Sequence, residues 1–246
     1  MIDNMLKLFI DTLGYNGGWV SLGAIIAVIA YLFGRLSCAI IIVRLWKHDD
    51  IRKYGSGSAG GTNVLRNFGV VPAVLTLAGD FLKGVAAIIV ALFLAEGYGK
   101  AAIEAGMQIS VETCSLYGAL LAGAFCVIGH VYPIYFKFKG GKGVITTASL
   151  LVLIDWRIFL VSLAAFLIAT GISKMVSLGS ICAALVIPVS VFVFNGNIYA
   201  TIISACIAAF VIYLHKNNIA RIIKGTESKV SFKKKTKPQE NYNTKE

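Results

Sequence analysis

Apolar residues run along this chain in long blocks parted by short polar stretches. Blocks of that length point to lipid as the solvent. A hydrocarbon core roughly 30 Å thick takes about 20 apolar residues of helix to cross. Positions 18–45, 70–95 and 116–136 meet that length. A longer apolar region, 144–214, is cut into four more segments by Asp155-Trp156-Arg157, by Ser173-Lys174 and by Asn195-Gly196-Asn197. The first of the four, 144–154, is short and is expected to be a re-entrant or tilted helix buried in protein. The expected fold is an all-α integral membrane protein, a compact bundle of about seven transmembrane helical segments, with five or six as the fallback. No internal repeat is evident. The bundle is expected to form one domain over 1–232, and 233–246 a disordered basic tail.

Composition agrees. Of 246 residues, 57% are hydrophobic and 14% charged, against about 25% charged in a soluble globular protein. The net charge of +11 would suit a soluble nucleic-acid binder, but the hydropathy argues against that partner. In a membrane protein a basic excess faces the cytoplasm and anionic headgroups. Arg44, Lys47, Arg52, Lys53 and Arg66 follow the first block; Glu96, Glu104 and Glu112 against Lys100 follow the second. Lys137, Lys139 and Lys142 follow the third, and Arg221, Lys224, Lys229 and Lys233 to Lys235 close the chain. Alternate loops are basic, so the N-terminus is expected outside and the C-terminus in the cytoplasm. Asp3 and Asp11, with no small-residue cleavage site, make the first block a retained span rather than a signal peptide. Cys38, Cys114, Cys126, Cys182 and Cys206 lack metal-ligand spacing and read as small hydrophobes. Under this topology the polar segments 55–66, 137–143, 173–180 and 215–229 share the cytoplasmic face.

Those segments carry the candidate chemistry. In Gly55-Ser-Gly-Ser-Ala-Gly-Gly-Thr-Asn63, glycines let backbone amides approach a ligand and form an anion nest. Ser56, Thr62 and Asn63 add donors, and Arg66, a helical turn on, adds a fork for phosphate. A plain Gly/Ser linker would not need Thr-Asn and Arg behind it. Gly55, Gly57 and Gly60 also match the dinucleotide fingerprint, and Gly55, Gly60, Gly61 and Thr62 nearly match a P-loop. The fingerprint needs a βαβ unit that a preceding transmembrane helix excludes, and Gly61 stands where the P-loop needs lysine. In Lys139-Gly-Gly-Lys-Gly143, two glycines free the backbone and Lys142 supplies a point charge suited to phosphate or an oxyanion. Membrane-edge anchoring explains Lys137 and Lys139 equally well, but not the glycines flanking Lys142.

Asp80 and Lys83 lie three residues apart inside an apolar span, on one helix face. Intramembrane charges are rare, usually paired and often functional, although a structural pair is the alternative. Ser177 and Ser180 share a face at the start of a span, where capping or small-residue packing also accounts for them. His215, Asn218 and Arg221 fall on successive turns of one face, followed by Gly225 and Glu227. His130, near a span end, reads alone as a hydrogen-bonded structural histidine. Neither a Ser-His-Asp set nor a metal-ligand cluster is suggested. Cations, amides and hydroxyls suit the stabilisation of negative charge.

These segments, in this order, resemble the bacterial membrane-bound glycerol-3-phosphate acyltransferases that use acyl-phosphate as donor. The loop from Gly55 to Arg66 is similar to that family's GSGNxGATNxxR, and Gly79-Asp-Phe-Leu-Lys-Gly84 to its GDxxKG. The segment from His130 to Val144 is similar to its HxxPxxxxFKGGKGV, and that from His215 to Lys229 to its HxxNIxRxxxGxExK. The chain departs from the pattern at Ser58, at Gly61, at Gly34-Arg-Leu-Ser37 and at Gly179.

The resemblance implies transfer of a fatty acyl group from acyl-phosphate to the sn-1 hydroxyl of glycerol 3-phosphate, giving lysophosphatidic acid and phosphate. It implies a multi-pass protein of the bacterial inner membrane, with its active face cytoplasmic. No cofactor, no metal and no obligate protein partner are expected. On this footing Lys142, His215 and Asn218 are the catalytic set. Ser56, Gly57, Thr62, Asn63, Lys139, Gly140, Gly141 and Gly143 would cradle the acyl-phosphate around Lys142. Arg66 would hold glycerol 3-phosphate with His215 and Asn218, and Ser177, Ser180, Arg221 and Glu227 would complete the substrate site. Asp80 and Lys83 support it. The base stays open among His215, His130 and a substrate phosphate. A transporter of a small anion or lipid headgroup is the alternative, weakened by the absence of paired halves.

Overall fold

A computed structural model describes residues 2–229; the tail expected at 233–246 lies outside the described residues. The described chain is helical, with α1 (Ile2–Gly34), α2 (Cys38–Lys47), α3 (Gly61–Phe68), α4 (Val70–Glu104), α5 (Val111–Val131), α6 (Val144–Ile154), α7 (Trp156–Ser173), α8 (Val176–Asn195), α9 (Ile198–Leu214) and α10 (Lys216–Ile223). The polar cuts in the sequence become helix caps. Asp155 ends α6 and accepts from the Arg157 amide to start α7; Asn197 accepts from the Ala200 amide to start α9. Lys174 and Gly196 end α7 and α8 in the left-handed region, a common helix stop.

Five helical stretches among the described residues are long and apolar enough to cross a membrane, or six if α9 and α10, bent by 58°, form one span. The seventh expected segment is α6. Its 11 residues rise about 16 Å, roughly half a hydrocarbon core, so α6 does not cross unaided. Its buried Thr146, Thr147, Ser149, Leu150 and Leu151 place it inside the bundle.

The first span differs from expectation. Helix begins well before position 18 and breaks after Gly34, so 18–45 is not continuous. A Cβ on Gly34 would strike the Cys126 carbonyl, and one on Gly129 would lie 2.5 Å from the Tyr31 carbonyl. The α1 and α5 backbones therefore touch at the break, a use of small residues typical of membrane helices. Beyond it α2 continues the path. The second span also outruns its expected end at 95, reaching Glu104, where Glu104 and Lys7 pair at 2.5 Å.

The core lies among α1, α4 and α5, with Leu22, Ile26, Ile88, Ala91, Ala119 and Leu120 buried together. On the outside, Leu167, Ile168 and Ile172 of α7 and Leu185, Val189 and Val193 of α8 are exposed. An apolar face of that extent is one that lipid covers. Alternating helix directions bring the 48–69, 132–143, 174–175 and 215–229 connections to one end of the bundle.

Candidate active site

A cavity of about 350 Å³ opens at that end, lined by residues from the 48–69, 132–143 and 215–229 connections and by α4, α5, α6, α7 and α8. Its polar wall includes Ser56, Thr62, Arg66, Lys142, His215, Asn218 and Arg221; its apolar wall includes Leu65, Leu77, Ile145 and Phe166. A cleft of about 530 Å³ at the other end is lined by Glu112, Asn195 and Asn197 without any Lys or Arg. It brings no cation to a phosphate, whereas the first cavity gathers three.

The first connection is held from within by Asn63. Its Nδ2 donates to the carbonyls of Tyr54 and Ser58, both at 3.0 Å, and its Oδ1 accepts from the Ser56 amide at 3.3 Å and from Asn67 Nδ2 at 3.1 Å. With both ends of the amide occupied, Asn63 shapes the loop. Ser56, Ser58 and Thr62 are left at the wall, and Arg66 follows on α3 with one guanidinium N–H donated to the Ser228 carbonyl at 3.0 Å. Burial lowers the Arg66 pKa, though not enough to discharge a guanidinium.

The second connection lies across the end of α5. The Gly140 amide donates to Val131 O at 3.0 Å, the Gly141 amide to His130 O at 3.2 Å, and Gly140 O accepts from the Ala59 amide at 3.1 Å. A Cβ on Gly140 would strike His130 O, and one on Gly141 would strike His130 Nε2. These glycines permit close approach. Lys142 follows them, its ammonium donating to Asn218 Oδ1. Burial brings the Lys142 pKa down to about 8; Arg221 and Arg66 push the same way and Glu227 opposes.

The first turn of α8 and the fourth connection meet at Glu227. Its Oε1 accepts from Ser177 Oγ at 2.8 Å and Asn218 Nδ2 at 2.7 Å, and its Oε2 accepts from Arg221 Nε at 2.7 Å. Burial pushes this carboxyl's pKa up, but the three donors outweigh it and the net shift is downward. Donors on both oxygens keep it ionised. His215, 2% exposed, makes a 2.8 Å contact from Nδ1 to Val211 O. A carbonyl only accepts, so Nδ1 carries the proton and Nε2 keeps its lone pair.

His130 has the opposite tautomer. The Lys83 ammonium reaches its Nδ1 at 2.8 Å, so Nδ1 accepts and Nε2 holds the hydrogen. The same ammonium donates to Asp80 Oδ1 at 2.7 Å and Leu36 O at 2.6 Å. The sequence pairs Asp80 with Lys83; the third and fourth members, His130 and the carbonyl at the α1 break, are distant in sequence.

Among the predicted site residues, the fold therefore brings Ser56, Thr62, Asn63, Arg66, Lys142, Gly143, Ser177, Ser180, His215, Asn218, Arg221 and Glu227 to one cavity, with Asp80 and His130 at its floor. Gly57, Lys139, Gly140 and Gly141 do not line it. Lys139 is exposed, and the two glycines sit beneath the wall. Glu227 and Asn63, expected to meet substrate, spend their polar atoms on protein partners. Sequence reasoning named Ser58 only as a departure from the family pattern and did not single out Leu65, Leu77, Ile145 or Phe166. The apolar four carry no mark that distinguishes them from lipid-facing neighbours.

Fold and site define an integral membrane protein with a cationic, hydroxyl-lined cavity bounded on one side by apolar helix faces. The family described as "Glycerol-3-phosphate acyltransferase" matches residues 24–225, and the chain belongs to it. A glycerol-3-phosphate acyltransferase of Bacillus subtilis is 36% identical over 209 residues, 85% of this chain and 98% of that one. One of Clostridioides difficile is 37% identical over 210 residues, 85% of this chain and 96% of that one. The crystal structure of PlsY, an integral membrane glycerol 3-phosphate acyltransferase, in its glycerol 3-phosphate form, superposes with a TM-score of 0.73 at 30% identity. That match covers 85% of this chain and 96% of PlsY.

Proposed function

We propose that this protein acylates the sn-1 hydroxyl of glycerol 3-phosphate with acyl-phosphate, releasing lysophosphatidic acid and inorganic phosphate, on the cytoplasmic face of the inner membrane. The observation that carries the reading is the convergence of Arg66, Lys142, His215 and Asn218 on one cavity that also has an apolar wall. A phosphate-bearing headgroup suits the cations, and an acyl chain suits the wall.

In this scheme Ser56, Thr62 and Lys142 hold the acyl-phosphate, and Arg66, with Arg221 beside it, takes the phosphate of glycerol 3-phosphate. The sn-1 oxygen attacks the acyl carbonyl carbon. Its proton passes to His215 Nε2, whose lone pair is free because Nδ1 is committed to Val211 O. The tetrahedral oxyanion is stabilised by the Lys142 ammonium, preorganised by Asn218. Collapse breaks the bond between the acyl carbon and the phosphate oxygen, and phosphate leaves with its electron pair. The donor is already activated, so orientation and charge stabilisation suffice without a covalent enzyme intermediate.

The test uses purified protein in lipid, with acyl-phosphate and glycerol 3-phosphate supplied and phosphate and lysophosphatidic acid followed. Phosphate release that depends on glycerol 3-phosphate and is matched by product is the expected result. Turnover with acyl-CoA alone would overturn the donor. No turnover of folded protein with either would overturn the enzyme and direct the work to anion flux in vesicles.

A further inference from the structure

The catalytic scheme leaves unused a deeply buried group of ionisable side chains around α4. Asp80 and Lys83 have side chains 4% exposed, and His130 5%. Burying two ions is costly even when they pair, and apolar side chains of the same volume would join the helices at lower cost. The arrangement therefore calls for a role beyond adhesion.

Each proton of the Lys83 ammonium has its own acceptor, and the acceptors lie on three separate pieces of chain. They are Asp80 Oδ1 on α4 itself, Leu36 O at the break between α1 and α2, and His130 Nδ1 in the last turn of α5. An ammonium offers three donors, so the centre is saturated and its geometry closed. What lies above His130 is the loop that carries Lys142. The Gly141 amide is bonded to the His130 carbonyl, the Gly140 amide to Val131 O, and Gly140 O to the Ala59 amide. The imidazole edge at Nε2 lies so close under Gly141 that a Cβ there would collide with it. The ring is thus a floor for the residue next to Lys142, and its rotation is set by Lys83 at the opposite nitrogen.

We propose that Asp80, Lys83 and His130 are positioning residues for acyl transfer: a closed intramembrane network that ties the break in the first helix to α5 and sets the seat of the loop 139–143, and with it the Lys142 ammonium. The inference rests on the acyl-transfer reading for its effect on rate, but not for its effect on the loop. It also removes His130 from the candidates for general base, because its Nε2 bears a proton when Nδ1 accepts from Lys83.

The deciding experiment is the paired neutral variant Asp80→Asn/Lys83→Met, which leaves no unpaired charge in the membrane. Its melting temperature, the hydrogen exchange of the 139–143 amides and kcat are measured beside the parent. The expected result is a folded protein in which these amides exchange at least about tenfold faster and kcat falls by about a hundredfold, the cost of misplacing a reacting group by about 1 Å. The alkaline limb of the kcat profile should also move upward, because Lys142 would be less buried among Arg66, Arg221 and Glu227. A reduced share of folded enzyme would leave that limb where it was. A folded double variant with parental exchange and parental kcat overturns the proposal and leaves the network as a structural pair.

If the double variant does not fold, His130→Asn decides. Its Oδ1 can accept from Lys83, so the charges stay satisfied while the ring beneath Gly141 is lost, and the same two readings apply. Exchange in the parent and variants is read without turnover. Faster exchange in the variants of a parent that proves inactive would sustain the network while the acyl-transfer reading fails.

Discussion

Lys142 and Asn218 lie 76 positions apart in the chain, yet the Lys142 ammonium donates to the Asn218 side-chain carbonyl. The other end of that amide donates to Glu227 Oε1 at 2.7 Å. Asn218 thus links the cation to the carboxylate without letting them neutralise one another by direct contact. Glu227 stays engaged with Ser177 and Arg221, and Lys142 faces the cavity. A direct Lys–Glu pair would hold the ammonium away from the charge that develops during transfer.

Asn218→Ala removes both bonds at once. The change should lower kcat by about a hundredfold and stability by about 1–3 kcal/mol, the usual cost of stranding buried polar partners. Steady-state kinetics and thermal melts in the same detergent check it. A variant with parental kcat would show that Lys142 needs no holder.

The Lys142 pKa, about 8, sets a pH dependence. In the proposed scheme its cationic form stabilises the oxyanion, so kcat should fall as pH rises through about 8 and the ammonium deprotonates. Lys142→Arg keeps a cation at any accessible pH. In that variant, even at reduced activity, the limb near pH 8 should disappear. A limb that persists unchanged would belong to another group.

Arg66 donates one N–H to Ser228 O, and a guanidinium has five donors. Arg66→Lys preserves the charge but not the fork. The KM for glycerol 3-phosphate should rise about tenfold, with kcat changed less, the loss of roughly one charge-assisted bond. Initial-rate kinetics with acyl-phosphate saturating separate the two constants. A selective loss of kcat would place Arg66 at the reacting carbonyl instead.

Glycines in the functional segments differ in what they tolerate. At Gly141 a Cβ would meet His130 Nε2 and lie 2.8 Å from the Ala59 carbonyl, a backbone atom that cannot swing aside. At Gly225, with φ +69, nothing lies within 4 Å. Gly141→Ala should cost activity by about ten- to a hundredfold, whereas Gly225→Ala should cost about 1 kcal/mol of conformational strain and little activity. Assays on both variants, normalised to folded protein, test the contrast.

The sequence by itself determined the solvent and the residue types that gather at the cavity. Long apolar blocks leave no soluble alternative, and the cuts at Asp155, Lys174 and Asn197 were legible because capping is a local property of residue type. The clustering of glycine with Lys142, and of Thr62 with Arg66, was legible for the same reason: bare backbone and donors within a few residues are a local property of the sequence.

The tertiary structure decided what those groups do to one another. The break after Gly34 depends on how closely α5 passes, which Gly34 and Gly129 allow but do not announce. Glu227 and Asn63 have the residue types of ligand contacts, yet their atoms are satisfied by partners that only folding supplies. His130 and His215 are the same side chain, each near the end of a helix. One has its Nδ1 filled by Lys83, 47 positions away, and the other donates from Nδ1 to Val211 one turn back. The tautomer of His215 follows from its own helix and that of His130 from long-range packing, because a proton on an imidazole is placed by its neighbours in space.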